Sequence, residues 1–112
     1  MDDLILGVSG IRGIVGTGLT AEVVRRLVEV WGRTFSGAVV VGRDSRPSGA
    51  DFQQIAIQKL LQQRHQVYRV GVVPTPTLGR AVRQWRASAG LQITASHNPA
   101  EWNGLKFFNV EG

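Results

Sequence analysis

The chain contains no cysteine. That excludes a disulfide framework and any thiolate metal centre, and it suits a reducing compartment. Histidine is nearly as scarce, with only His65 and His97, so a zinc site built on spaced imidazoles has no ligand set. No apolar run approaches the length of a membrane span. The start, "MDDLILGVSG", is acidic ahead of a short apolar stretch, the reverse of a secretory signal. These absences predict a cytoplasmic protein with no membrane partner. Aspartate is confined to Asp2, Asp3, Asp44 and Asp51, with no D-x-D-x-D pattern. There is no Walker A pattern, no G-x-G-x-x-G and no G-x-S-x-G elbow.

What is present is a chain of 112 residues, 43% hydrophobic, which predicts one small globular domain, or part of one, over residues 1–112. The formal net charge is +5, and 11 of the 13 basic residues are arginine. Guanidinium groups grip phosphates and carboxylates in a planar, bidentate way. An anionic partner follows, either nucleic acid or a small phosphorylated molecule. Much of this charge also fits an exposed surface, since Glu22–Arg26 and Glu29–Arg33 have the spacing of helix pairs.

Hydrophobic periodicity predicts a helix over residues 20–35, with Val24, Leu27, Val28, Trp31 and Phe35 inward and Thr20 as cap. A second helix is expected over 48–63, with Ser48 and Asp51 as a capping box and Phe52, Ile55, Ala56 and Leu60 inward. A third starts near Pro76, capped by Thr75, with Leu78, Ala81, Val82 and Trp85 inward. His65 is expected as a solvated residue at a helix end. Strands are expected at 38–41, 66–73, 89–94 and 104–109, the last returning after an Asn103-Gly104 turn. Two short apolar pieces, "LIL" and "GIVG", precede them. Alternation of strand and helix gives an α/β class: a three-layer α/β/α domain with a mixed, mainly parallel sheet of about four main strands, the last antiparallel.

Ligands in such sheets bind beyond the carboxyl ends of the parallel strands. Three polar loops fall there: "GRDSR" at 42–46, "PTPT" at 74–77 and "TASHNP" at 94–99. Ser96 is the candidate nucleophile. A Ser-His-Asp hydrolase does not fit, because adjacent Ser96 and His97 diverge in extended backbone. The surroundings are cations and amides instead: His97, Asn98, Lys106 and Arg12, with Arg43 and Arg46 on the neighbouring loop. Such groups suit a phosphoserine or a transferring phosphoryl group. Spacing alone leaves an ordinary polar turn with scattered arginines equally open.

Five blocks, "SGIRG", "VGRDSRPSG", "GVVPTPTLGRAV", "ITASHNP" and "NGLKFF", resemble the N-terminal domain of the α-D-phosphohexomutases, in the family's order and over nearly the whole chain. This family includes phosphoglucomutase, phosphomannomutase and phosphoglucosamine mutase. The resemblance implies an intramolecular phosphotransferase that interconverts hexose 1-phosphate and hexose 6-phosphate through a phosphoserine and a bisphosphorylated sugar. It implies that Ser96 carries the phosphoryl group, with His97 and Lys106 beside it. Arg12 is implied to assist proton transfer or position the reacting groups. Asn98 matches an active-loop position that shapes the loop, and Ser9 a phosphate-binding position of the opening block, where Val8 replaces the frequent threonine. Arg43 and Asp44 match a block read first as bracing a loop end, with Arg43 also a phosphate-binding candidate.

The resemblance also implies Mg2+, touching this chain only through a phosphate on Ser96, with aspartate ligands elsewhere. Family members have four domains, so the chain is expected to be a truncated first domain, inactive alone, with the remaining domains and a hexose phosphate as partners. An uncovered sheet face at its end predicts self-association. The sugar stays open, because "NGLKFF" leans toward glucosamine and "SGIRG" toward mannose or glucose. A basic α/β nucleic-acid-binding module without catalysis is the alternative. It requires aromatics interleaved with basic residues on one exposed face.

Overall fold

The structure, a computed structural model, describes residues 4–6 and 10–112. The candidate Ser9, together with Val8, Asp2 and Asp3, lies outside the described residues. The elements in chain order are β1 (Leu4–Leu6), β2 (Gly10–Ile14), α1 (Ala21–Gly32), β3 (Ala38–Arg43), α2 (Gly49–Gln62), β4 (Gln66–Val72), α3 (Thr75–Gln84), β5 (Ala89–Ile93) and β6 (Trp102–Phe108). The strands form one sheet in the order β1-β2-β6-β5-β3-β4.

The expected α/β/α layering follows from which faces are apolar. Val24 and Val28 of α1 and Phe52, Ala56 and Leu60 of α2 close one core against Val39, Val41, Leu91, Ile93 and Leu105. On the opposite face, Leu78 and Val82 of α3 pack on Val40. Central β5 is buried along its whole length, as expected of a strand covered on both sides. β3 pairs in parallel with β4 and β5, and β6 runs antiparallel to β5 as the short return requires. The sheet is wider than the four main strands expected. The "LIL" piece forms β1, while β2 is built from the joining Gly10–Arg12 and only the first two residues of "GIVG"; the two strands pair antiparallel to each other and, through β2, to β6. They are too short to announce themselves by period and gain definition from the neighbour they pair with.

Several local expectations change for tertiary reasons. Thr20 caps α1 as expected, its Oγ1 accepting from the Val23 N–H at 3.2 Å. Glu22 pairs with Arg25 rather than Arg26, while Glu29–Arg33 forms as spaced. Ser48 makes no cap bond to α2, because its Oγ accepts from Asn103 Nδ2 at 2.7 Å. α3 starts one residue early, with Pro74 rather than Thr75 at the cap position. Asn103-Gly104 is not a turn. Both residues lie buried inside β6, opposite Gly13 and Arg12. A side chain at Gly104 would collide with the Ile11 carbonyl, so glycine here permits close strand contact. Trp85 is 48% exposed instead of inward and leans on Tyr68 with centroids 5.5 Å apart. His65 is buried rather than solvated, stacked on Phe35 with its ring nitrogens against the Gly32 and Gly37 carbonyls at 2.7 and 3.1 Å.

Candidate active site

From β3 the chain leaves through α2 toward β4. From β5 it turns back the other way into β6. The connections therefore diverge between these two strands, the switch point at which open α/β sheets bind ligands. The segments 42–46 and 94–99 meet there. The Asp44 N–H donates to the Ile93 carbonyl at 3.0 Å, and Thr94 Oγ1 donates to Asp44 Oδ2 at 2.6 Å. Asp44 Oδ1 accepts from the Arg46 N–H at 3.1 Å. The Ser96 N–H donates to Thr94 Oγ1 at 3.0 Å, the side-chain turn that a threonine two residues upstream can make.

Ser96 itself is exposed and has φ 57°, one of three non-glycine residues in the left-handed region among the described residues. A tight turn follows, closed by the Asn98 N–H on the Ala95 carbonyl at 3.1 Å and the Trp102 N–H on the Pro99 carbonyl at 3.0 Å. Arg12 on β2 reaches this turn, its Nη1 donating to Asn98 Oδ1 at 3.0 Å. Arg12 sits opposite Gly104, and Lys106 two residues on sits opposite Gly10. The two cations are thus diagonal neighbours on one face of the β2–β6 ladder, with glycine as each one's cross-strand partner. α3 packs on β3 and β5, beyond this pair. Among the described residues neither Lys106 nor His97 hydrogen-bonds to Ser96, and His97 is exposed.

Arg43 and Arg46 separate in role. Arg43 packs at the start of α2 beside Gly49, with Nη1 on the Asp44 carbonyl at 3.3 Å and a buried Nε that has no partner among the described residues. No hydrogen bond joins it to the Ser96 turn. Arg46 instead inserts under that turn. Its Nη1 donates to the Pro99 and Trp102 carbonyls at 2.6 and 3.1 Å. Its Nη2 donates to the Ser96 and Asn98 carbonyls at 2.9 and 2.8 Å, and Nε to Asp44 Oδ2 at 3.1 Å. Sequence reasoning placed Arg46 only as a nearby cation and passed over Thr94. The signal available for Thr94 was its place two residues before Ser96. Arg46 offered none beyond its spacing from Asp44.

The residues present do not fit a magnesium site by themselves. Magnesium takes one or two carboxylates beside phosphate oxygens. Glu101 lies exposed within the 96–102 span, and Asp44, the carboxylate bonded into the turn's network, has both oxygens engaged. Among the described residues no group of three or more His, Cys, Asp or Glu could hold a metal. The "PTPT" segment enters the first turn of α3, and Val73 just before it donates its N–H to the Arg43 carbonyl at 3.0 Å and accepts from Gln92 Nε2 at 2.7 Å.

The family model for phosphoglucomutase/phosphomannomutase, alpha/beta/alpha domain I, matches residues 3–112. The phosphoglucosamine mutase of Leuconostoc citreum is 42% identical over 114 residues, covering 95% of this chain and 25% of that protein. That of Clostridium acetobutylicum is 37% identical over 113 residues, covering 96% and 25%. A crystal structure of a Thermus thermophilus protein assigned as a phosphomannomutase superposes with a TM-score of 0.90 at 35% identity, covering 96% of this chain and 26% of that one. A phosphoglucomutase/phosphomannomutase family protein from Burkholderia thailandensis gives 0.82 at 30% identity, covering 93% and 25%. The chain spans about a quarter of the length of the curated relatives it matches. The nucleic-acid alternative gains no support, and Trp31 and Phe35 pack with Phe107 and His65 rather than on an exposed basic face.

Proposed function

The chain belongs to the phosphoglucomutase/phosphomannomutase family as its α/β/α domain I, and on that premise we propose that it supplies the phosphoryl-carrying serine of a hexose-phosphate mutase. The carrying observation is Ser96, exposed at the tip of a braced turn at the carboxyl end of β5. With its phosphoryl group in place, Ser96 donates it to a hydroxyl of a hexose monophosphate. The serine O–P bond breaks as the sugar hydroxyl oxygen bonds to phosphorus, the hydroxyl proton ends on Ser96 Oγ to regenerate the serine hydroxyl, and a bisphosphorylated sugar forms. The second phosphate then returns to Ser96 Oγ, leaving the isomeric monophosphate.

Cations and fixed donors are what this transfer needs, since charge spreads over the non-bridging oxygens. Lys106 and Arg12 supply it from one face of the ladder, with His97 beside Ser96 on the turn. Asn98 holds Arg12 to the turn. Arg43 serves as a brace at the start of α2. Ser9 is proposed as a phosphate contact of the same site. Magnesium enters this reading only as an ion whose carboxylates come from further domains of a longer chain, which are also the expected partners together with the hexose phosphate. Residues 1–112 are proposed as one domain of that chain, working in the cytoplasm and able to self-associate. No described helix is long and apolar enough to cross a membrane.

The test is Ser96→Ala in the full-length protein. Interconversion of hexose 1-phosphate and hexose 6-phosphate should disappear while the folded structure persists. Wild-type turnover in that variant would remove the nucleophile assignment.

A further inference from the structure

We infer that Arg46 is a positioning residue for phosphoryl transfer, fixing the Ser96 turn from beneath without touching substrate. This rests on the reading of Ser96 as phosphoryl carrier. A guanidinium has five N–H donors. In Arg46 all five are matched: one by Asp44 Oδ2 and four by the carbonyls of Ser96, Asn98, Pro99 and Trp102. No donor remains for a phosphate. The side chain is only 11% exposed, and its bonds to Asp44, Trp102 and Asn98 are part-buried while those to Pro99 and Ser96 lie at the surface.

Four carbonyl dipoles from one seven-residue span converge on a single cation. Without it their oxygens face one another and the turn opens. With it the main chain is drawn inward, and Ser96 is held at φ 57° with its side chain on the exposed side. Asp44 completes the device. It orients the guanidinium through Nε and fixes Thr94, whose Oγ1 takes the Ser96 N–H. Lysine cannot replace this arrangement, because an ammonium has three donors and no planar fork. Phosphoryl transfer is acutely sensitive to placement, and an error of about 1 Å can cost roughly 100-fold.

The experiment compares Arg46→Lys, Arg46→Ala and Ser96→Ala in the full-length protein with a hexose 1-phosphate as substrate. Arg46→Lys should lower kcat by about 30- to 100-fold with KM nearly unchanged. Millimolar guanidinium should restore part of the kcat of Arg46→Ala by refilling the vacated site. Amide exchange should accelerate at Asn98 and Trp102 in Arg46→Lys, while the β5 amides stay protected. Unchanged kcat would overturn the inference. So would a rise in KM at constant kcat, which would make Arg46 a substrate ligand. A loss that merely follows the unfolded fraction, with uniform exchange and no guanidinium response, would also overturn it by making the role one of stability alone. If Ser96→Ala keeps wild-type turnover, the phosphoserine reading fails. If Ser96→Ala is inactive while Arg46→Lys is normal, only the Arg46 inference fails.

Discussion

Ser96 sits in a backbone conformation that a side chain resists. The left-handed region costs an L-residue roughly 1–2 kcal/mol through the clash of Cβ with the carbonyl oxygen. Glycine escapes that clash but gives back about 0.5–1 kcal/mol through its freer unfolded chain. At φ 57° the balance favours glycine, so Ser96→Gly should raise stability by about 0.5–1 kcal/mol, whereas Ser96→Ala should not. A serine kept there against this gradient is what a functional constraint looks like. The check is urea unfolding of both variants. A further arm adds Arg46→Gln, which frees the turn to relax. The advantage of Gly over Ala should vanish in that background. If Ser96→Gly is no more stable than Ser96→Ala with Arg46 intact, the turn is not imposing the strain.

At the scale of elements, the long helices and the buried strands were legible because their apolar residues repeat with a period, as Val24 and Val28 or Leu78 and Val82 do. What escaped was decided by partners distant in the chain. Ser48 looks like a helix cap until Asn103 takes its hydroxyl. Asn103-Gly104 looks like a turn until β2 pairs with it. The site divided the same way. Ser96, His97 and Asn98 announced themselves as a polar stretch at a strand end. The role of Arg46 depends on carbonyls fifty or more residues away, which no local pattern encodes. Gln53 is another such residue, a polar side chain 1% exposed on the core side of α2. Its Nε2 donates to the Val41 and Val70 carbonyls at 3.1 and 2.9 Å, where the β3–β4 register shifts. Gln53→Leu keeps the volume but withdraws a donor from two carbonyls, each worth about 1–3 kcal/mol when left unsatisfied in the interior. A loss of about 2–4 kcal/mol is expected by urea unfolding, with amide exchange rising first along β4. A change below about 0.5 kcal/mol, the range of ordinary surface substitutions, would mean that water or another group serves those carbonyls.

At the scale of the whole molecule, charge and completeness pull apart. The chain carries a formal +5, and Arg12 and Lys106 share one open face near the Ser96 turn. Such a face should attract a free phosphate or sulfate, weakly and in a salt-dependent way, because exposed charges are screened within about 10 Å at 0.1 M salt. Turnover asks for more. The acceptor hydroxyl must be aligned with phosphorus, and alignment alone can contribute roughly 7–11 kcal/mol. Among the described residues, the groups near the turn are cations, amides and two carboxylates, the exposed Glu101 and the fully engaged Asp44, and no cluster of three that could hold a metal. Among the described residues none of these groups hydrogen-bonds to the Ser96 hydroxyl, and the relatives are about four times longer. Residues 1–112 alone should therefore bind sulfate, read as amide shifts at 96–98 and on β6 that collapse as salt rises, yet interconvert no hexose phosphates. The assay supplies a hexose 1-phosphate, magnesium and a bisphosphate activator to chain freed of host mutase. Turnover near that of a complete mutase would show that this domain orients both substrate and metal by itself, and the division of labour argued from Asp44 and the open ladder face would be wrong. Sulfate shifts that map instead to the exposed arginines of α3 would separately remove the Arg12–Lys106 face as the anion site.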